Sequence, residues 1–179
     1  MRVVTRLFVL VAAGALMAGA AQAQKHEMGV DATLAYYKPS GGDGRISLAT
    51  PVDVRMGWGS SNLSWETRFA LSYIKPKDGS FLAFTPDINA LWKLNGAAAN
   101  KGMYLTGGVG LQYTNFDDGT NPSQSDTRVG LNAGLGSRHP IGDAALRTEV
   151  FVGYLLKKDT EVAETSFGVR FGISFWHGH

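Results

Sequence analysis

The sequence predicts an all-β fold, an eight-stranded antiparallel up-and-down transmembrane β-barrel. Two observations support this prediction: apolar and polar residues alternate with a period of two in eight separate segments, and a secretory leader precedes them. The alternation is clearest from Phe167 to Phe175, where every odd position is large and apolar and every even position is small or charged. Since successive side chains of a strand point to opposite faces, each strand would have one apolar and one polar face.

The first 23 residues have the features of a cleaved signal peptide. Arg2 and Arg6 precede an apolar core from Leu7 to Leu16, and Ala21-Gln22-Ala23 is a small-x-small cleavage site. We therefore expect this leader (1-23) to be removed and residues 24–179 to form one barrel domain. A membrane-anchoring helix is the alternative, but the apolar stretch is short for a bilayer.

Charge and cysteine content exclude several classes of protein. Removal of the leader takes two arginines with it and leaves 15 basic and 15 acidic residues, which gives no electrostatic reason to expect nucleic-acid binding. The chain has no cysteine, so disulfides cannot stabilise it. No segment of the mature chain has 18 consecutive apolar residues, so no transmembrane helix is predicted.

Turn signals divide the mature chain into eight strands. The predicted strands are Met28 to Tyr37, Ile46 to Trp58, Leu63 to Ile74, Phe81 to Leu94, Met103 to Asn115, Asp126 to Gly136, Ala144 to Lys157 and Phe167 to Phe175. Each is long enough to cross a bilayer at a tilt, and an even number returns both termini to the same side.

The first four strands are justified by alternation and by the turns between them. Their apolar faces include, in order, Val30, Ala32 and Leu34; Val52, Val54 and Met56; Trp65, Phe69 and Leu71; and Phe84, Ile88 and Trp92. The separating turns are 40–44, which is rich in glycine, then 59–62 and 75–79. Pro51 has no ladder donor, so it should lie at a bulge or near the membrane boundary.

The last four strands follow the same rule. Their apolar faces include, in order, Leu105, Val109 and Leu111; Val129, Leu131 and Leu135; Val150, Val152 and Tyr154; and Phe167, Phe171 and Phe175. The predicted connections before and between them are 95–102, 116–125, 137–143 and 158–164.

Volume decides which face of the barrel points inward. Eight strands enclose a narrow interior that side chains fill, and the tryptophans and phenylalanines are too bulky to fit there together. The apolar face therefore points outward, which only lipid permits over such an area.

The polar face then forms a barrel-interior charge network. Its predicted members are Asp31, Asp53, Arg55, Glu66, Arg68, Asp87, Lys93, Arg128, Arg147, Glu149 and Arg170. Acids and bases are nearly balanced, as a dry interior requires, because an unpaired buried charge is costly. We interpret the set as a salt-bridge plug; a charged lining for a small pore is the alternative.

The leader, the eight amphipathic strands and the ending Phe-x-Val-x-Phe-x-Ile-x-Phe resemble the small outer-membrane β-barrel families, such as the OmpA membrane domain, the OmpX/Ail barrels and the porin family. The resemblance implies a location in the outer membrane of a Gram-negative envelope. It also implies that the closing strand is a C-terminal insertion signal for the barrel insertion machinery. The residues of that signal would be Phe167, Val169, Phe171, Ile173 and Phe175. Because the resemblance covers Met28 to Phe175, nearly the whole mature chain, we do not expect the peptidoglycan-binding domain that OmpA-type proteins also carry.

The sequence contains no convincing catalytic, cofactor or metal site. A hydrolase needs a serine and a histidine in contact with an orienting acid, but Ser137 and His139 fall in a predicted turn on the inner, terminal side, whereas lipid A enzymes of this shape act from the outer leaflet. His177 and His179 alone make a weak metal site, and the polar loop at 117–119 lacks the spacing of a calcium loop.

Three hypotheses about function remain. The first is a non-enzymatic, monomeric outer-membrane barrel with a structural or surface-interaction role, whose partners are outer-membrane lipid and the insertion machinery. The alternative is a narrow channel or porin for small solutes. The third is a periplasmic or secreted lipocalin-like binding barrel.

Overall fold

Eight antiparallel strands form a closed barrel in the computed structural model, which describes residues 26–59, 62–74, 80–94, 100–117, 123–158 and 162–177. The strands are β1 (His26–Pro39), β2 (Arg45–Trp58), β3 (Leu63–Ile74), β4 (Ser80–Lys93), β5 (Gly102–Asp117), β6 (Gln124–Ile141), β7 (Ala144–Leu155) and β8 (Glu164–His177). The predicted fold class is confirmed. The expected signal peptide (1-23) lies outside the described residues and stays a prediction.

The barrel closes because its first and last strands pair along their whole length. The register between β1 and β8 begins with His26 opposite His177 and continues without a shift to Pro39 opposite Glu164. All other neighbours are consecutive in the chain. We call the end at which β1 begins and β8 ends the terminal rim, and the opposite end the loop rim.

The distribution of polarity is inverted relative to a water-soluble domain. Along β1, Glu27, Asp31 and Thr33 are buried, whereas Met28 and Val30, which alternate with them, are exposed. The same alternation along the other strands places large apolar side chains on the outside and charged ones on the inside. Such a surface suits a hydrocarbon environment.

Two rows of aromatic residues lie near the ends of the outward face. At the terminal rim, Trp58 lies directly opposite Trp65 on the neighbouring strand. At the loop rim, the rings of Tyr36 and Phe167 are 5.1 Å apart between centroids. Aromatic rows of this kind mark the two interfaces of a membrane-spanning barrel. Among the described residues, no helix is long and apolar enough to cross a membrane.

The β6–β7 hairpin corrects the predicted turn at 137–143. β6 continues to Ile141, which lies opposite Ala144, so the turn consists of Gly142 and Asp143 alone. Gly142 has a φ of 59°, the left-handed conformation that tight hairpin turns require. Pro140 and Gly142 suggest an earlier turn in the sequence, but the hairpin accommodates both residues at its tip.

The strand ends also differ from the prediction elsewhere. β8 begins at Glu164 and ends at His177, so it is longer at both ends than predicted. β7 ends at Leu155, two residues earlier than predicted. The predicted turn at 75–79 lies outside the described residues, and the predicted connections 95–102 and 116–125 are described only in part. β5 begins at Gly102, one residue earlier than predicted. It ends at Asp117 and β6 begins at Gln124, so the connection between these two strands is shorter than predicted.

The seams on either side of β2 are irregular. Between β1 and β2, Asp31 lies opposite Asp53 but Thr33 lies opposite Ala49, so extra residues of β2 bulge at this point. Pro51 belongs to this segment, in agreement with the prediction of a bulge. In the described residues, β2 pairs with β3 only from Val54 to Trp58.

The β1–β8 seam depends on a close backbone approach at Gly168. A Cβ atom at this position would lie 2.2 Å from the carbonyl oxygen of Leu34 on β1. At Gly107, by contrast, the closest approach of such a Cβ would be 4.0 Å, to the carbonyl oxygen of Asn132. Glycine is therefore required at position 168 by space rather than by an unusual φ.

We expect Gly168→Ala to destabilise the barrel by about 1–3 kcal/mol, the usual cost of overpacking, because the seam must widen. The temperature at which the folded band disappears in an unboiled SDS gel should fall. Gly107→Ala is the matched control and should leave this temperature unchanged. Equal behaviour of the two variants would contradict the packing argument.

Candidate functional site: a buried charge network

Charged side chains from seven of the eight strands, all but β5, meet inside the barrel. At the terminal end, Arg55 of β2 donates from Nε to Asp31 Oδ2 at 2.5 Å and from Nη1 to Glu27 Oε1 at 2.7 Å. Its Nη2 also donates to Ser174 Oγ at 3.0 Å. Arg138 of β6 donates to the second oxygen of Glu27 at 2.5 Å. Glu27 therefore links strands β1, β2 and β6.

The middle of the barrel is crossed by an ion pair between opposite walls. Arg147 lies on β7 and Glu66 on β3, four strands away in the closed barrel. Both Nη atoms of Arg147 donate to the carboxylate of Glu66, and its Nε donates to the hydroxyl of Tyr104. Nη2 also donates to Glu149 Oε2 at 2.7 Å. The forked geometry is the one that guanidinium and carboxylate groups favour.

Glu149 connects this pair to the loop side of the interior. Its Oε1 accepts from Arg170 at 2.5 Å and from Arg68 at 3.3 Å. Arg68 in turn donates to Asp87 Oδ1 at 3.0 Å. A contact of 3.5 Å between Arg55 Nη1 and Glu66 joins this cluster to the terminal one. The interior charges thus form one continuous network.

The network is electrically balanced. Its five carboxylates and five guanidinium groups are Glu27, Asp31, Glu66, Asp87, Glu149, Arg55, Arg68, Arg138, Arg147 and Arg170. All but Asp87 and Arg170 are buried. Taking a single ion out of water costs several kcal/mol, so an interior of this composition is tolerable only because each charge has opposite partners.

The structure brings eight of the eleven predicted interior residues into this network. Asp53 and Lys93 are buried but lie outside it: Asp53 accepts a hydrogen bond of 3.0 Å from Thr33, and Lys93 has no ion pair among the described residues. Arg128 corrects the prediction. It lies near the loop rim, where its guanidinium donates to the carbonyl oxygens of Leu156 and Val162 instead of to a carboxylate.

Sequence reasoning missed Glu27 and Arg138. Each is an even number of positions from an inward-facing residue of its own strand, and so faces inward too: Glu27 precedes Asp31 on β1, and Arg138 follows Asn132 on β6. They were excluded because the predicted first strand started at Met28 and the predicted sixth strand ended at Gly136. Extending the period-two pattern into the flanking residues would have found both.

The residues of the predicted insertion signal lie on the outward face of β8. Phe167, Phe171, Ile173 and Phe175 are exposed, and Val169 is partly exposed. On the inward face, Arg170 lies 3.6 Å above the ring of Phe151. β8 therefore offers an apolar ridge to lipid and a charge to the network.

One serine–histidine contact is present, at the terminal rim. Ser137 Oγ lies 3.1 Å from His139 Nε2 and 3.0 Å from the hydroxyl of Thr148. Among the described residues, no carboxylate bonds to the imidazole, so nothing orients the histidine as a base. The contact faces outward, away from the charge network.

We expect Glu66→Gln to destabilise the folded barrel by about 3–5 kcal/mol, because Arg147 keeps only Glu149 as a carboxylate partner and the balanced network is left with one excess buried positive charge. The urea midpoint of unfolding from lipid vesicles measures this loss. Asp126→Asn is the control: Asp126 pairs with Lys158 at 2.7 Å, but both side chains are partly solvated, so its loss should cost no more than about 1 kcal/mol. Similar midpoints for the two variants would contradict a stabilising role for the network.

Comparisons with known proteins agree with this architecture. The crystal structure of Neisserial surface protein A is similar with a TM-score of 0.65 and 16% sequence identity, covering 84% of this chain and 96% of that one. The attachment invasion locus protein Ail of Yersinia pestis is similar with a TM-score of 0.54 and 16% identity, covering 86% of this chain and 99% of that one. A search of curated proteins finds no match.

The family is established by a sequence match over most of the chain. The model of the family described as "Outer membrane protein beta-barrel domain" matches residues 7–175. This match agrees with the closed eight-stranded barrel, the apolar outward face and the charged interior. The chain therefore belongs to the outer membrane protein beta-barrel domain family and is located in the outer membrane.

Proposed function

We propose that this protein is a non-enzymatic outer-membrane barrel whose role is structural or lies in the interactions of its exposed surface. The observation that supports this most directly is the paired charge network. The Arg147–Glu66 pair spans the lumen from β7 to β3, and the groups around it link the other walls. Passage of a solute would require breaking buried ion pairs, each of which is costly to separate.

A barrel with an occupied interior meets other molecules through its outside and its rims. The outward face contacts lipid, and the loop rim has polar, exposed residues such as Lys38 and Arg45. The two similar structures are named as a surface protein and as an attachment protein, which supports a role at the cell surface. Because closure leaves no free strand edge, we also propose that the protein is a monomer.

A narrow channel for small solutes is the competing function, and no contact in the described structure favours it. A soluble lipocalin-like barrel is not supported either, because such a barrel has an apolar interior and a polar exterior, the reverse of the arrangement here.

Planar-bilayer conductance separates a plug from a pore. We expect the wild-type protein to be silent even at high protein load. Simultaneous Glu66→Ala and Arg147→Ala substitutions remove a lumen-crossing pair without leaving its partner uncompensated, and they should produce measurable openings. Steady conductance of the wild-type protein would instead support the channel function.

We further propose that the outward residues of β8 are read by the barrel insertion machinery. Phe175 and Trp92 are outward-facing aromatic residues at the terminal rim with exposures of 54% and 59%, but only Phe175 belongs to β8. Recognition of β8 should therefore distinguish two substitutions that both remove an aromatic side chain from the lipid-facing surface.

Phe175→Ala should reduce the amount of folded protein in the outer membrane several-fold in cells, whereas refolding of the purified variant into vesicles should stay near that of the wild type. Trp92→Ala is the control and should leave the amount in cells unchanged. Equal losses in cells would indicate that the two aromatic side chains matter only for lipid contact. Membrane fractionation with unboiled SDS gels gives both readouts.

A further inference from the structure

Two histidines face each other at the seam where the barrel closes. His26 is the first residue of β1 and His177 the last residue of β8, and the two are directly opposite in the antiparallel register. Both are exposed. His26 is two residues before Met28, and His177 is two residues after Phe175. Residues two apart on a strand share a face, and Met28 and Phe175 are exposed, so both imidazoles lie on the outward face.

Their spacing suits a shared metal ion. Directly opposed residues of an antiparallel pair have Cβ atoms about 4.5–5.5 Å apart. Two imidazoles that start this close can reach one ion, since zinc–nitrogen bonds are about 2.0–2.1 Å long. In the part of the chain that the structure describes, neither imidazole is engaged in a hydrogen bond or an ion pair.

The surroundings leave the pair accessible to water-borne ions. On β2, Trp58 lies opposite His26, and on β3, Trp65 lies opposite Trp58. The two histidines are therefore at the same depth as the aromatic row of the terminal rim. Such rows lie at the hydrated interface of a bilayer, where polar groups remain in contact with water. A divalent ion at this depth does not have to enter hydrocarbon.

We propose that His26 and His177 form a binding site for a divalent transition-metal ion such as Zn²⁺, which links β1 to β8 at the terminal rim. Imidazole is a good ligand for zinc, copper and nickel. Among the described residues, no group of three or more potential ligands lies together, so water would complete the coordination of the ion. His179 is two positions further along the sequence and lies outside the described residues.

The location gives the ion a mechanical role. The two ligands lie on the first and last strands of the barrel, and these strands form the seam that closes it. An ion that binds both histidines binds the closed barrel more tightly than the unfolded chain, and such binding stabilises the folded state. The site therefore adds a link across the closing seam, at the rim where both strands end.

The test is a calorimetric titration of Zn²⁺ into the untagged, detergent-refolded protein. We expect one ion to bind per chain and the affinity to fall about tenfold or more in both His26→Asn and His177→Asn, since altering even an outer-shell partner of a metal site costs 10–100-fold. His139→Asn, at the same rim but on β6, is the control and should bind as the wild type does. Because all three side chains are exposed, the variants should fold normally.

Two results would overturn the proposal. One is unchanged affinity in both variants of the pair. The other is a loss confined to His26→Asn, which would assign the ion to His26 and the residues preceding it rather than to the seam.

Thermal stability provides an independent readout. Zn²⁺ should raise the temperature at which the folded band is lost in an unboiled SDS gel, a chelator should reverse the increase, and His177→Asn should abolish it. An equal increase in wild type and His177→Asn would exclude a link between β1 and β8.

Discussion

The structure depends on one constraint: a backbone in hydrocarbon has no water with which to form hydrogen bonds. Pairing β1 with β8 without a register shift removes the two edges that eight strands would otherwise leave. Closure of so few strands makes the interior narrow, and this narrowness sends the bulky apolar side chains outward. The inverted polarity of the protein and its filled lumen both follow from this constraint.

The interior resolves a second problem that closure creates. Side chains on the inner face are removed from water, yet many are charged, and Arg55 and Glu66 are almost completely inaccessible. Their mutual pairing makes such an interior tolerable, and it occupies the space through which a solute would have to pass. The same contacts thus explain the tolerance of buried charge and support a function at the outer surface.

Much of this architecture could be predicted from the sequence because strand periodicity is local. The alternation from Phe167 to Phe175 fixes both faces of β8 without any knowledge of its neighbours. Strand ends were less predictable: Pro140 and Gly142 suggest an early turn, but pairing with β7 extends β6 to Ile141. The partners of each interior charge could not be predicted, because they depend on barrel register and on which walls face each other. Arg128 illustrates this limit, since its inward parity does not reveal that it bonds to carbonyl oxygens at the loop rim.

The cross-lumen pairs also have a consequence for the order of assembly. Glu66 and Arg147 are 81 residues apart in sequence, and Glu27 and Arg138 are 111 apart. Pairs such as Arg55–Asp31 and Arg68–Asp87 can form within one hairpin, but these two long-range pairs cannot. A partly assembled sheet would therefore leave the cross-lumen carboxylates and guanidinium groups without their partners. Insertion of one strand at a time into a bare bilayer would therefore meet a large free-energy barrier, and this barrier is lower if the sheet curves and brings the charges together before it enters the membrane. The cross-lumen pairs thus favour a late, concerted closing step over gradual addition of hairpins.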